Sequence, residues 1–384
     1  MKTLFWFSLL GLIYIYVGYP CLIALWARLR TKPVRRGTFT GTATVLMSSY
    51  NEGEALARKL KAFRDAAAYS TIDEILVGSD GSTDGSIEQI RRGLDSKVRL
   101  VDFPARRGKA SVLNDLIALC RSEILVFCDV RQRLDREAIA RLLENFADEK
   151  VGVVSGELHL EEPVDRVGAG GVGAYWRYEK WIRKSESAAG SVPGATGALY
   201  AIRRSLVRPI PSSTLLDDVA IPMQAVMQGW RCVFDERAAA FDQVSSDIST
   251  ESVRKRRTIA GNIQLIRLFP GYLLPWRNPI WFQFVSHKVS RLFSPFLLLG
   301  LLVSSLWLAP DWRWAESVAY GQAAVYLAAL AGSRRSARSG LPGRLAGIAR
   351  AFVSMNFTTL LAWGDALSGR FEARWQRSPV VSAS

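Results

Sequence analysis

The stretch from Ile75 to Gly85 reads ILVGSDGSTDG. An apolar run of strand length stops at Asp80, and a second acid, Asp84, follows among glycines and hydroxyls. Two readings fit. A strand, a turn and a capped helix would use Asp80 in the turn, with Ser86 and Gln89 forming a capping box at the helix start. A site at the carboxyl end of a parallel strand would instead turn the carboxylate towards a bound molecule.

The same plan recurs on both sides. ATVLMSSYNEGEAL (Ala43 to Leu56) is an apolar run ending in Tyr50-Asn51-Glu52 before a helix start. VRLVDFPARRGKASVLN (Val98 to Asn114) ends its run at Arg107-Gly108-Lys109, and SEILVFCDV (Ser122 to Val130) ends at Asp129. Continuous apolar strands alternating with amphipathic helices imply an α/β domain with a mostly parallel sheet covered on both faces. Four polar strand ends in a row then converge on one crevice.

Composition bounds the class. The chain has 384 residues with 50 Lys+Arg against 35 Asp+Glu, a formal net charge of +15, 49% hydrophobic residues and 12 Trp. The charge suits nucleic acid, an anionic membrane or phosphate-bearing small molecules, and the apolar fraction favours the membrane. With no zinc spacing and no RNA-binding signature, no nucleic acid partner is expected. The four cysteines are scattered and the two histidines, His159 and His287, are far apart in sequence, which argues against a disulfide framework or a histidine metal centre.

Leu4 to Trp26 is free of charge and long enough to cross a bilayer. It exceeds a usual signal-peptide core and lacks a small-residue cleavage site, so an uncleaved anchor is the expectation. Its basic flank, Ala27 to Arg36, places the following domain in the cytoplasm. Near the other end, Pro275 to Phe293 mixes aromatics with Arg and Lys as an interface-lying helix would. Two further spans are expected at about Phe293–Ala309 and Ala315–Ala331. The segment from Leu345 to Ala366, interrupted by Arg350, reads equally as a span or as an interfacial helix. The expected division is an anchor (1–36), a cytoplasmic domain (37–270), an interface helix (271–292) and a membrane region with two or three hydrophobic segments and a basic tail (293–384).

These motifs together resemble the family 2 glycosyltransferases, in particular the membrane-integrated synthases related to cellulose, chitin and hyaluronan synthases. The resemblance covers about Thr44 to Lys288. It implies a GT-A-type nucleotide-sugar-binding domain and an inverting hexosyltransferase of the cell membrane. The implied donor is a UDP-sugar. The implied acceptor is a growing polysaccharide or a lipid-linked glycan, with membrane lipids and subunits of a polysaccharide secretion system as further partners.

Residue by residue, the resemblance puts Tyr50, Asn51 and Glu52 in the first strand motif and Asp80 at the uracil base. Lys109 falls near the donor phosphates. TLLDDVAIPMQAVM (Thr214 to Met227) resembles the segment with the catalytic base, so Asp218 takes that position with Asp217 beside it. RKRRTIAGN (Arg254 to Asn262) resembles the basic motif that holds the departing diphosphate, with Arg254 and Arg257 in its charged places. Two features depart from the pattern. The usual Asp-x-Asp that binds Mg2+ or Mn2+ keeps Asp129 but has Arg131 at the second acid, leaving Asp129 as the one expected metal ligand. Thr258 stands where processive synthases carry Trp, which opens single-sugar addition as a competitor to polymerisation. The reading from another class is a catalytically inactive, membrane-bound nucleotide sensor or partner subunit.

Overall fold

The computed structural model describes residues 1–91, 95–161, 170–243, 248–332 and 340–369. It opens with helix α1 (Lys2–Leu29). The globular domain follows in the order β1 (Ala43–Ser49), α2 (Gly53–Arg64), β2 (Ile72–Asp80), α3 (Ser86–Arg91), β3 (Val98–Phe103), α4 (Lys109–Leu119) and β4 (Ile124–Cys128). Its second half holds β5 (Arg133–Leu134), α5 (Ala138–Glu144), β6 (Val151–Glu161), α6 (Gly170–Ala189), β7 (Leu199–Arg203), α7 (Asp217–Met227), β8 (Arg231–Gln243) and α8 (Ile248–Leu268). The C-terminal helices are α9 (Trp281–Leu308), α10 (Arg313–Ala331) and α11 (Gly340–Leu367).

The eight strands form one sheet in the order β3-β2-β1-β4-β7-β6-β8-β5. The first four run parallel, β7 is antiparallel to both neighbours, β6 and β8 are parallel, and only β7 and the short β5 run against the rest. The apolar runs become strands because both faces are covered: Val45, Met47, Val77 and Val126 lie in one core layer and Leu46, Leu76, Leu125 and Phe127 in the other. Every parallel strand therefore delivers its polar end to one rim, as the repeated strand-end pattern implies. The GT-A-like α/β fold with a mostly parallel sheet is what the structure has.

Three helices are long and apolar enough to cross a membrane: Lys2–Leu29, Trp281–Leu308 and Pro342–Leu367. The structure corrects two expectations here. The segment Pro275–Phe293 is not a separate interface helix, because α9 runs on through the division placed at 292/293. Its polar side chains point inward: His287 Nδ1 lies 2.8 Å from Glu186 and its Nε2 3.1 Å from Glu179, both on α6. Nor is Ala315–Ala331 among the three candidate spans. That stretch is helical, but Glu316 and Gln322 dilute its apolar face, and Gln322 donates to the Leu298 carbonyl at 2.9 Å. In α11, Arg350 donates to the Gly332 carbonyl at 3.2 Å and Asn356 accepts from Ser294 at 2.6 Å, so its polar interruptions pair within the protein. The basic tail after Gly369 and the loop at 333–339 lie outside the described residues.

Candidate active site

Two loops at the strand ends brace each other. Asn51 sits in the left-handed region at φ 52°, a conformation that Asn tolerates. Its side-chain carbonyl accepts from Thr83 N at 2.8 Å and its own N–H donates to Ser82 Oγ at 3.1 Å, joining the ends of β1 and β2. The Asp80 carboxylate, 5% exposed, accepts from the backbone N–H of Arg107 at 2.7 Å and of Gly108 at 2.9 Å. Gly108 at φ 93° makes that approach possible, since an L side chain rarely adopts it. Asp80 thus fixes the turn that launches α4 and its first residue, Lys109. Across the same turn the Arg106 guanidinium lies over the Tyr50 ring, 3.9 Å from its centroid.

Lys109 stands at the centre of the acids. Its Nζ is 2.9 Å from Asp129 Oδ1 and 3.1 Å from Asp217 Oδ2. Burial works against this ammonium, but Asp129 and Asp217 outweigh burial and hold its pKa above the ordinary lysine range. Asp217 and Asp218 open α7, where the helix dipole favours acids. Asp218 Oδ2 accepts from the Gly197 N–H at 3.0 Å. A methyl placed on Gly197 would lie 3.3 Å from Asp218 Oδ2 and 3.7 Å from Asp129 Oδ2, so these carboxylates face a common gap. Burial, then Asp217, push the Asp218 carboxyl up to about 6, with Lys109 opposing. Beneath them Tyr200 stacks on Phe127 at 4.6 Å between centroids, and burial together with the three acids keeps its phenol protonated.

Cations come from two further elements. Arg257, on α8, is lowered by burial while Asp217, Asp129 and Asp218 oppose that shift, so its guanidinium belongs to the same electrostatic cluster. Its Nε is buried without a hydrogen-bond partner. Arg131, at the position where a second metal-binding acid was the pattern, forms an ion pair with Glu52 at 3.2 Å. Burial raises Glu52 to about 7, Arg131 and Arg254 opposing and Asp129 adding to the rise.

Among the described residues no group of three or more His, Cys, Asp or Glu side chains could hold a metal. Asp129 has one oxygen on Lys109 and the other towards the gap beside Gly197. That donor set suits a divalent ion taking one carboxylate plus the oxygens of a bound diphosphate, and does not make a closed protein cage.

Asp217, Asp218, Lys109, Asp129, Glu52, Arg254 and Arg257 therefore share one electrostatic cluster, while Tyr50, Asn51 and Asp80 shape the loops around it. Sequence reasoning passed over Arg106, whose Nε and Nη2 are buried with no hydrogen-bond partner. Arg106 and Arg107 are adjacent and chemically identical, and only the fold separates them: Arg107 turns away to Asp115 at 2.5 Å. It also passed over the Gly197 N–H, because a backbone donor leaves no signal in side-chain chemistry.

Comparison with known proteins agrees with this fold. Residues 44–210 match Glycosyl transferase family 2, so this part of the chain is a glycosyltransferase domain. Among solved structures, the mannosyltransferase PcManGT from Pyrobaculum calidifontis, in complex with GDP-Man and Mn2+, superposes with a TM-score of 0.70 at 21% identity, covering 96% of this chain and 99% of that one. GalNAc-T7 with UDP, GalNAc and Mn2+ gives a TM-score of 0.44 at 15% identity over 58% of this chain and 51% of that one. No curated protein matches the chain.

Proposed function

We propose that the chain is an inverting, membrane-anchored hexosyltransferase that moves a sugar from a nucleotide diphosphate donor to a glycan or lipid-linked acceptor, with its catalytic domain in the cytoplasm. The observation that carries the reading is Asp218: a half-buried carboxylate, raised to about 6, beside a cluster of cations at the strand ends. A carboxylate with that value is mostly ionised near neutral pH and is still basic enough to accept a proton.

In the proposed step the acceptor hydroxyl attacks the anomeric carbon and its proton passes to Asp218. The bond from that carbon to the diphosphate oxygen breaks, and the electron pair leaves with the nucleoside diphosphate. Lys109, Arg257 and Arg254 offset the charge that develops on the leaving group. Asp217 holds Lys109 in place and keeps Asp218 basic. Arg106 on Tyr50, together with Glu52 and the Asp80 turn, forms the donor's nucleotide side. A bound Mg2+ or Mn2+, held by Asp129, would add neutralisation of the diphosphate. UDP is the nucleotide that the sequence resemblance favours, and the structural neighbour was solved with GDP-Man.

The test uses the full chain in lipid nanodiscs with a panel of labelled UDP- and GDP-sugars, with and without Mg2+ or Mn2+. Nucleotide release and a labelled product with one donor, abolished by Asp218→Asn, are the expected result. Nucleotide binding without turnover across the panel would return the chain to the sensor reading, and product size would separate polymer from single addition.

A further inference from the structure

A cavity of about 330 Å³ opens between the C-terminal end of β6 and α6. It adjoins the acids through Thr196, which lines it and precedes Gly197, the donor to Asp218. Ser155 Oγ ties this wall together, accepting from Thr196 N at 3.1 Å and from Arg183 Nη2 at 2.7 Å.

The cavity's chemistry is unbalanced. Arg177, Lys180 and Arg183 line it, with Glu157 and Glu179. Glu179 belongs to Arg291 and His287, and Glu157 pairs with Lys180. That leaves two guanidiniums with no direct ion pair among the described residues: Arg183 donates to the serine hydroxyl and lies over the Phe234 ring, 4.8 Å from its centroid, in the field of Glu186, Glu179 and Asp218, and Arg177 is exposed. A guanidinium that no carboxylate holds in a direct ion pair keeps donors for an anion. Glu157 is 5% exposed, and its Oε2 is buried with no hydrogen-bond partner. A carboxylate oxygen only accepts, so it calls for a hydroxyl. Trp176, 39% exposed, supplies an aromatic surface at the same wall.

We infer that this cavity is the acceptor subsite and takes a saccharide unit bearing an acidic group, its hydroxyls reaching Glu157 and its negative charge reaching Arg177 and Arg183. The inference rests on the transfer reading of the Asp218 site and names its acceptor class. The acidic group is a phosphate linking the sugar to lipid or a carboxylate on the sugar itself; both offer the oxyanion that the guanidiniums match.

The experiment measures binding, independent of turnover, to the full chain in nanodiscs. The probes are octyl glucoside, octyl glucuronide, octyl glucosyl phosphate and inorganic phosphate. The two acidic glycosides are expected to bind about tenfold tighter than octyl glucoside, the scale of one charge-assisted hydrogen bond. Whichever binds tighter identifies the source of the charge. Arg177→Gln and Arg183→Gln should each remove most of that preference, and Glu157→Gln should weaken all three glycosides. Arg177 is exposed, so its variant keeps the test open if Arg183→Gln fails to fold. Equal binding of neutral and acidic glycosides, or a preference surviving Arg177→Gln, would overturn the inference. Inorganic phosphate binding as tightly as octyl glucosyl phosphate would overturn its saccharide half. Nucleotide binding, measured separately, reports on the transfer reading: its absence would remove that reading while the glycoside comparison still stands.

Discussion

Arg131 Nε lies 3.2 Å from Glu52 Oε1, so the guanidinium at the position of a second metal-binding acid faces a glutamate instead. Glu52, raised to about 7 by burial, binds a proton in the fold that it would release at about 4.5 when unfolded. A raised acid contributes stability that is full below the unfolded value and is lost as pH rises through the folded one. Native stability should therefore fall between about pH 4.5 and 7, by roughly 3 kcal/mol from this group. Glu52→Gln, measured by thermal unfolding across that window, should flatten the slope. An unchanged slope would show that Glu52 does not titrate there.

Asp218 sets the acid limb of turnover. A base must be ionised, so the rate should rise with pH through about 6 and level above it. Asp218→Asn should lower turnover by about 10²- to 10⁴-fold and leave nucleotide affinity within a few-fold. Because Asp217 is the largest charge raising Asp218, Asp217→Asn should move the limb to lower pH. A limb that stays in place would detach it from this pair of acids.

The positions of these groups were legible in the sequence to unequal degrees. Apolar strands ending in polar residues fixed the sheet and brought Glu52, Lys109 and Asp129 to one rim. The pairing of Lys109 with Asp217 was not legible, since it joins two helix starts 108 positions apart that only the folded sheet brings together. Asp80 shows another limit. A strand-end acid reads the same whether it meets a ligand or caps a turn, and here both its oxygens hold the Arg107–Gly108 backbone. The Pro275–Phe293 stretch misleads for a related reason: aromatics mixed with cations suit a membrane surface, yet half-buried Glu179 and buried Glu186 supply the partners that draw His287 inward.

Lys109 tests whether the site is held by its own charges. Lys109→Met removes the cation between two partly buried carboxylates, Asp129 and Asp217, and should cost about 3 kcal/mol of stability along with donor affinity. Adding Asp217→Asn should recover part of the stability, because one of the unpaired charges is then gone, without restoring donor affinity. Unfolding midpoints and nucleotide titrations on the single and double variants separate the two effects. Recovery of neither would mean that Lys109 acts through packing alone.

Arg256 on α8 meets both oxygens of Asp365 on α11 at 2.5 Å. A bidentate pair fixes orientation as well as distance, and Arg256 lies between Arg254 and Arg257 on the same helix. Asp365→Ala should therefore loosen α8 and raise the KM for the donor several-fold. Stability should fall by only about 1 kcal/mol, because Arg256 is 40% exposed and partly screened. The swapped pair, Arg256→Asp with Asp365→Arg, should recover much of the donor affinity, since it rebuilds the link with opposite polarity. Steady-state kinetics on the three proteins decide the point: equal KM values throughout would show that α8 keeps its basic residues in place without the α11 contact.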